Sequence, residues 1–381
     1  MKYQLKYYNL RLVAYIIALN VIGVLAIYSA MNGDMFYVER QIVGICVGVV
    51  LMGAISFIPY TFFEKWRFII YLICCGMLVS VLVYGLIHGG ARRWIVLPVL
   101  GQIQPSEFTK IGYIIFFAGY LGTKEDRIDR ANVLLPAIAF AAVPLALILL
   151  EPDTSTTIIY MVIFASMFFV SGIPYKYIGV VMLIVIPLVI GFLLLAKNGF
   201  LDWVGDYRIG RILAWFDKSA YTDQNLQQDN SIMAIASGQL FGKGLNYTGI
   251  ESVKSGSFIA ESRTDFVFAV IGEELGFIGS AAVIILFTLI VVACLRMAGK
   301  CDDMVGKLIC TGVAIMIGMQ SFTNIAVATG LFPNTGLPLP FISYGVSSLL
   351  SNYAAVGFAL NVGMMSGNKK KSTKYSTRRY L

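Results

Sequence analysis

Apolar residues recur along the whole chain in runs of eighteen or more, the length that carries an α-helix across about 30 Å of hydrocarbon. Ten spans are read, at 9–31, 41–59, 66–87, 105–122, 133–150, 155–172, 175–196, 266–295, 304–329 and 340–365. The predicted fold is an all-α polytopic membrane protein of about ten transmembrane helices. The first run follows Lys2, Lys6 and Arg11. It is longer than the apolar core of a cleaved signal peptide, so an uncleaved span is expected.

Polar residues between the runs set the orientation. With a cytoplasmic N-terminus, eighteen Lys and Arg fall on inside segments, whereas the short outside loops hold Arg40, Arg92 and Arg93. This bias predicts that both termini are cytoplasmic. Residues 1–365 read as a single transmembrane domain, and 366–381 as a basic cytoplasmic tail that faces lipid headgroups. One loop is long. Residues 197–265, 69 in all, are expected outside the cell between spans seven and eight. Its aromatic and amphipathic pieces, "DYRIGRILAWF" and "NSIMAIASGQLFGKGL", predict short helices lying on the membrane surface.

Composition narrows the chemistry. Hydrophobic residues make up 58% of the chain and charged ones 13%, with a mean hydropathy of +0.78, which excludes an ordinary soluble domain. The net charge of +8 follows the inside loops and tail, so no nucleic-acid partner is expected. The six cysteines lie in spans or in the short loop after Cys294, which implies no disulfide framework. His88 is the one histidine. A histidine metal site or a Ser-His-Asp triad is therefore not expected, and acid–base work falls to carboxylates.

Charges placed in or beside lipid are costly and mark candidate sites. They gather at the predicted outer ends of spans. Glu107 and Lys110, three apart on span four, share a helix face; they suit either substrate contact or a structural ion pair. Trp94 suits either a site or an interfacial anchor. Glu151 and Asp153 open span six. Asp265 opens span eight at the surface, while Glu273 and Glu274 lie roughly 12–14 Å deeper, where they suit capping or pairing. "GLFPNTGLPLPFISYGVSS" joins spans nine and ten with prolines that break helices. "SGQLFGKGL" lacks the spacing of an ATP phosphate loop, although its Lys243 is kept as a phosphate candidate.

In order along the chain, these motifs resemble the SEDS family of peptidoglycan glycosyltransferases (shape, elongation, division and sporulation), the RodA, FtsW and SpoVE group. Gly90, Ala91, Arg93 and Trp94 match, followed by Gln104, Pro105, Ser106, Glu107 and Lys110. So do Tyr207 and Arg211, and Ser231 to Leu245. Glu261, Thr264, Asp265, Phe266, Phe268, Glu273, Glu274 and Gly276 form a further motif. The last comprises Thr335, Gly336, Pro338 to Phe341, Ser343 to Gly345, Ser347 and Ser348. The chain departs at Thr154-Ser155, where the family has Leu-Gly, and at Val346, where it has Gly.

The resemblance implies lipid II, a disaccharide-pentapeptide on polyprenyl pyrophosphate, as substrate, polymerised at the outer face of the bacterial cytoplasmic membrane. It also implies a class B penicillin-binding protein as transpeptidase partner, together with other elongation or division proteins. On that reading Asp265 is the general base for the acceptor hydroxyl. Conversion of an α-linked donor to a β-linked polymer needs one inverting displacement and no covalent intermediate. The leaving pyrophosphate needs cations more than a proton donor; Arg93, Lys110, Arg211 and Lys243 are candidates. Trp94, Glu107, Asp153, Glu261 and Ser343 complete the expected substrate-binding set. No cofactor is required; a divalent cation, Mg or Mn, at the pyrophosphate is compatible with the sequence. The chief alternative is a flippase or transporter of the same lipid-linked precursor. An O-antigen ligase or polymerase and a structural scaffold are more distant alternatives.

Overall fold

The computed structural model describes residues 5–88, 91–97, 101–177, 222–247 and 262–366, together with scattered positions between 179 and 249. Among the described residues seven α-helices come before the long loop: α1 (Leu10–Ala30), α2 (Met35–Phe57), α3 (Tyr60–Lys65), α4 (Arg67–Tyr84), α5 (Pro105–Gly122), α6 (Ala131–Leu150) and α7 (Thr154–Val170). One more, α8 (Thr222–Ser237), lies within that loop, and α9 (Val267–Lys300), α10 (Met304–Ala328) and α11 (Val346–Ser366) come after it. Six of them, α1, α2, α4, α6, α9 and α10, are long and apolar enough to cross a membrane. The chain is thus a mostly helical, multi-pass membrane protein. Most of span seven and about half of the 197–265 loop fall outside the described residues.

α10 is the axis of the bundle and packs against α5, α7, α9 and α11. In its most apolar window 72% of residues are buried, against 17% for α4, which places α4 at the lipid-facing rim. Polar side chains join the helices where lipid offers no partner. Asn20 of α1 donates to the Tyr353 hydroxyl of α11 at 2.8 Å. Asn361 of α11 accepts from the Tyr60 amide at 2.9 Å and donates to Ser56 O at 2.7 Å.

Two features depart from a plain bundle. Between α4 and α5 the chain forms a three-stranded antiparallel meander, β1 (Leu86–His88), β2 (Ala91–Leu97) and β3 (Gly101–Ile103), in the order β1-β2-β3. An all-α reading misses it because the strands are only three to seven residues long. Ile95 pairs with Ile103 and Val96 with Gln102, and the β-branched Ile95, Val96 and Ile103 suit a pleated ladder.

The second departure is a break inside α9. Gly276 has φ 64° and ψ −159°, outside helical space and open in practice only to glycine. The amides of Phe277 and Ile278 turn away from the helix and donate to Gln239 O (2.8 Å) and Leu240 O (3.2 Å). The carbonyls they leave are taken by Lys243 N to Glu273 O (2.9 Å) and Gly244 N to Glu274 O (3.1 Å). The loop after α8 thus satisfies a helix break roughly 14 Å inside α9, as low-dielectric surroundings require.

Candidate active site

Asp265 sits at the start of α9, at the same end of the bundle as the α1–α2, β-meander, α6–α7 and α10–α11 connections. Three clamps hold its backbone. Asn324, deep in α10, donates through one Nδ2 to Asp265 O (2.8 Å) and to Leu337 O (2.6 Å). Ser343 Oγ donates to Thr264 O (2.5 Å) and accepts from Leu339 N (2.8 Å). The Tyr344 amide donates to Arg263 O (2.9 Å). The 337–344 segment reaches this position through Phe341, whose φ of 63° is unusual for a side-chain-bearing residue. Its buried ring packs edge-on against Tyr353 at 5.3 Å, which anchors the turn. Gly336 also has positive φ (68°), and a Cβ there would stand 3.2 Å from Asp265 Oδ2. Glycine therefore leaves one side of the carboxylate clear. Asp265 itself is partly exposed.

A second group lies beside it. Asp153 caps α7, its Oδ1 accepting from Thr156 N at 3.1 Å and its Oδ2 from Gln104 Nε2 at 3.3 Å. Arg93 of β2 approaches the same Oδ2 at 3.9 Å and donates to Pro152 O at 3.1 Å. Trp94, next in β2, pairs with Leu86 and is half-buried. The Ser155 hydroxyl donates to Thr335 O at 3.0 Å, which ties this group to the turn carrying Gly336 and hence to Asp265.

Two expected contributors are sequestered. Lys110 and Glu107 are 0% and 1% exposed and pair at 2.7 Å. Gln320 accepts from Lys110 (3.3 Å) and donates to Glu107 (3.4 Å), and Ser351 donates to Glu107 (3.5 Å). Lys243 pairs with Glu273 at 3.0 Å beside the helix break, and Ser29 of α1 donates to Glu274. Ser343 is buried and acts on backbone. Arg211 and Glu261 lie outside the described residues. Among the described residues no three His, Cys, Asp or Glu side chains group as a metal site.

Sequence reasoning did not single out Asn324, and it gave no role to Glu151 or Arg263, which it met only as charges at the openings of spans. Asn324 and Gln320 stand four apart within an apolar span, a spacing that signals one polar stripe facing the bundle interior. Glu151 is fully buried, and neither carboxylate oxygen has a hydrogen-bond partner among the described residues. Burial, and then the charge of Asp153, push its pKa up to about 8 against the opposing pull of Arg93. A carboxyl whose folded pKa is raised destabilises the fold once it ionises. Stability should be complete below the ordinary carboxylate range and fall as pH rises to about 8. Glu151→Gln is therefore expected to flatten this decline. Its melting temperature should pull ahead of the parent's between pH 5 and 8, by the equivalent of a few kcal/mol. Parallel melting curves across that range would refute the assignment.

The geometry defines a class: a helical membrane protein with a clamped, partly exposed aspartate and a charged, hydrogen-bonded group at one end of its bundle. Residues 10–368 match the model of the FtsW, RodA and SpoVE cell cycle protein family, and the chain belongs to that family. It is 31% identical over 367 residues to a probable peptidoglycan glycosyltransferase FtsW of Geobacter sp. strain M18, covering 93% of this chain and 96% of the relative. It is 33% identical over 373 residues to stage V sporulation protein E of Bacillus subtilis, covering 94% of this chain and 97% of the relative. Its fold superposes with a TM-score of 0.78 and 26% identity on a solved chain from work on the structural coordination of polymerization and crosslinking by a peptidoglycan synthase complex, covering 95% of this chain and 99% of that one.

Proposed function

We propose that this chain is a peptidoglycan glycosyltransferase that polymerises lipid II at the outer face of the bacterial cytoplasmic membrane. The observation that carries the reading is Asp265: a partly exposed carboxylate whose backbone is clamped from α10 and the 337–344 segment. It opens a membrane helix at the end where the polar clusters gather. Asp265 takes the proton of the acceptor sugar hydroxyl as that oxygen attacks the anomeric carbon, and the polyprenyl pyrophosphate leaves with inversion. Positioning of this kind converts a weak base into an effective one. The Arg93–Asp153 pair, with Trp94 beside it, borders the same end and contacts the substrate. Arg211 and Glu261 remain proposed substrate contacts. Ser343 acts through the backbone of Thr264. The Glu107–Lys110 pair acts through the packing of α5, and Lys243 through the helix break. A Mg or Mn ion on the pyrophosphate is compatible with this scheme.

The reading includes ten membrane crossings, both termini in the cytoplasm, one domain over 1–365, an extracellular loop over 197–265 and a basic tail over 366–381. It also includes a class B penicillin-binding protein as partner; the solved relative comes from a complex that couples polymerization to crosslinking.

One observation favours a second reading, a flippase of the same precursor: broken helices near the midplane are a transporter device, and α9 is broken at Gly276. The break is closed by backbone hydrogen bonds from the 239–244 loop, which favours the enzyme. The test is purified full-length protein with its transpeptidase partner and lipid II in detergent. Glycan strands are expected. Absence of polymer, with lipid II crossing vesicle bilayers instead, would select the flippase.

A further inference from the structure

We propose that Arg263 is an anion-binding residue that grips the diphosphate of the lipid-linked sugar beside Asp265, an assignment that rests on the glycosyltransferase reading. Three of the four cations first expected to do this have partners within the protein, and the fourth, Arg211, lies outside the described residues. Lys110 is buried against Glu107 and Gln320, Lys243 is paired with Glu273, and Arg93 donates to Pro152 O and flanks Asp153. Arg263 differs. Its guanidinium lies over the Tyr37 ring at 4.6 Å, and its one hydrogen-bond acceptor among the described residues is the Met31 thioether, at 3.7 Å. A thioether is a weak, uncharged acceptor, and a guanidinium carries five N–H donors. The side chain is thus oriented and partly exposed, with most of its donors unspent.

Its orientation is built in. Tyr37 meets Tyr344 edge-on at 5.4 Å, and the Tyr344 amide donates to the Arg263 carbonyl. One tyrosine therefore supports the stacking ring while its backbone holds the arginine's own. Stacking fixes the guanidinium plane without consuming donors, which suits bidentate contact with a phosphate. Arg263 also stands two residues before Asp265 on the same clamped segment. Arg40, which stacks on Phe36 at 4.2 Å, is exposed on α2 and lacks this backbone tie to the Asp265 segment.

The test separates this assignment from the function it rests on. Full-length protein carrying Asp265→Asn is titrated with farnesyl pyrophosphate and, as a control for the apolar tail, with farnesol. Adding Arg263→Gln is expected to weaken farnesyl pyrophosphate binding about 10-fold or more and to leave farnesol binding unchanged. Arg263→Lys should recover part of the loss, and Tyr37→Phe should bind as the parent does. With Asp265 intact, Arg263→Gln should raise KM for lipid II and lower kcat/KM at least about 10-fold, because charge builds on the departing diphosphate. Unchanged pyrophosphate affinity in Arg263→Gln overturns the proposal even if the parent polymerises lipid II. Loss of affinity in a parent that makes no polymer upholds the anion site and overturns the glycosyltransferase reading instead. A parallel loss of farnesol binding assigns Arg263 to structure and also overturns it.

Discussion

Replacing Asp265 with asparagine is expected to cut lipid II polymerisation by about 10²–10⁴-fold, the usual contribution of a positioned general base, with little change in melting temperature. The amide has nearly the same shape but cannot take a proton from an attacking hydroxyl. The fold should tolerate it because the clamps act on backbone: Asn324 holds the Asp265 carbonyl, Ser343 the Thr264 carbonyl and Tyr344 the Arg263 carbonyl. Asp265→Glu is a sharper version of the test. It keeps the base but advances it by one methylene beside Gly336, where an added Cβ would stand 3.2 Å from Asp265 Oδ2, so activity should fall while binding persists. Polymerisation by Asp265→Asn at the parent rate would remove this residue from the mechanism.

The contrast between Asp265 and the expected cations shows what a one-dimensional pattern can carry. Long apolar runs have one low-energy arrangement in lipid, so the long helices α1, α2, α4 to α7 and α9 to α11 were legible within about six residues, whereas the short α3 was not foreseen and α8 only in its second half. The meander at 86–103 was not, because its few alternating residues lie between two long apolar runs. Nor was the break in α9: Gly276 looks like one more small residue in an apolar run, and the loop that satisfies its freed groups lies more than thirty positions upstream. Asp265 stood out because an ionisable group opening a membrane helix is expensive. The engagement of Lys110 and Lys243 was only half visible. A spacing of three announces Glu107 as a partner for Lys110, whereas the pairing of Lys243 with Glu273 spans thirty residues and depends on the helix break. Arg263 was hidden for the opposite reason. Nothing local distinguishes it from its charged neighbours, and what makes it available is a ring on α2 that stacks with it and a distant loop that fastens its backbone.

Lys110→Met is expected to lower stability by about 3–5 kcal/mol, the usual result of leaving one member of a buried ion pair alone. In the parent the ammonium contacts Glu107 at 2.7 Å and Gln320 at 3.3 Å, with both charges withdrawn from solvent. Removing the lysine leaves Glu107 with only Gln320 and Ser351, at 3.4 Å and 3.5 Å, too few and too long to compensate for a buried negative charge. The double variant Glu107→Gln, Lys110→Met removes both charges and keeps a hydrogen-bonding side chain near Gln320. It is expected to melt above Lys110→Met alone, and that non-additivity is the signature of a mutual interaction. If Lys110 instead held the pyrophosphate directly, Lys110→Met would melt like the parent and raise KM for lipid II, and the double variant would recover no stability. Thermal melts of the parent, both single variants and the double variant therefore decide whether this charge acts on the substrate or on the seam where α5 meets α10 and α11.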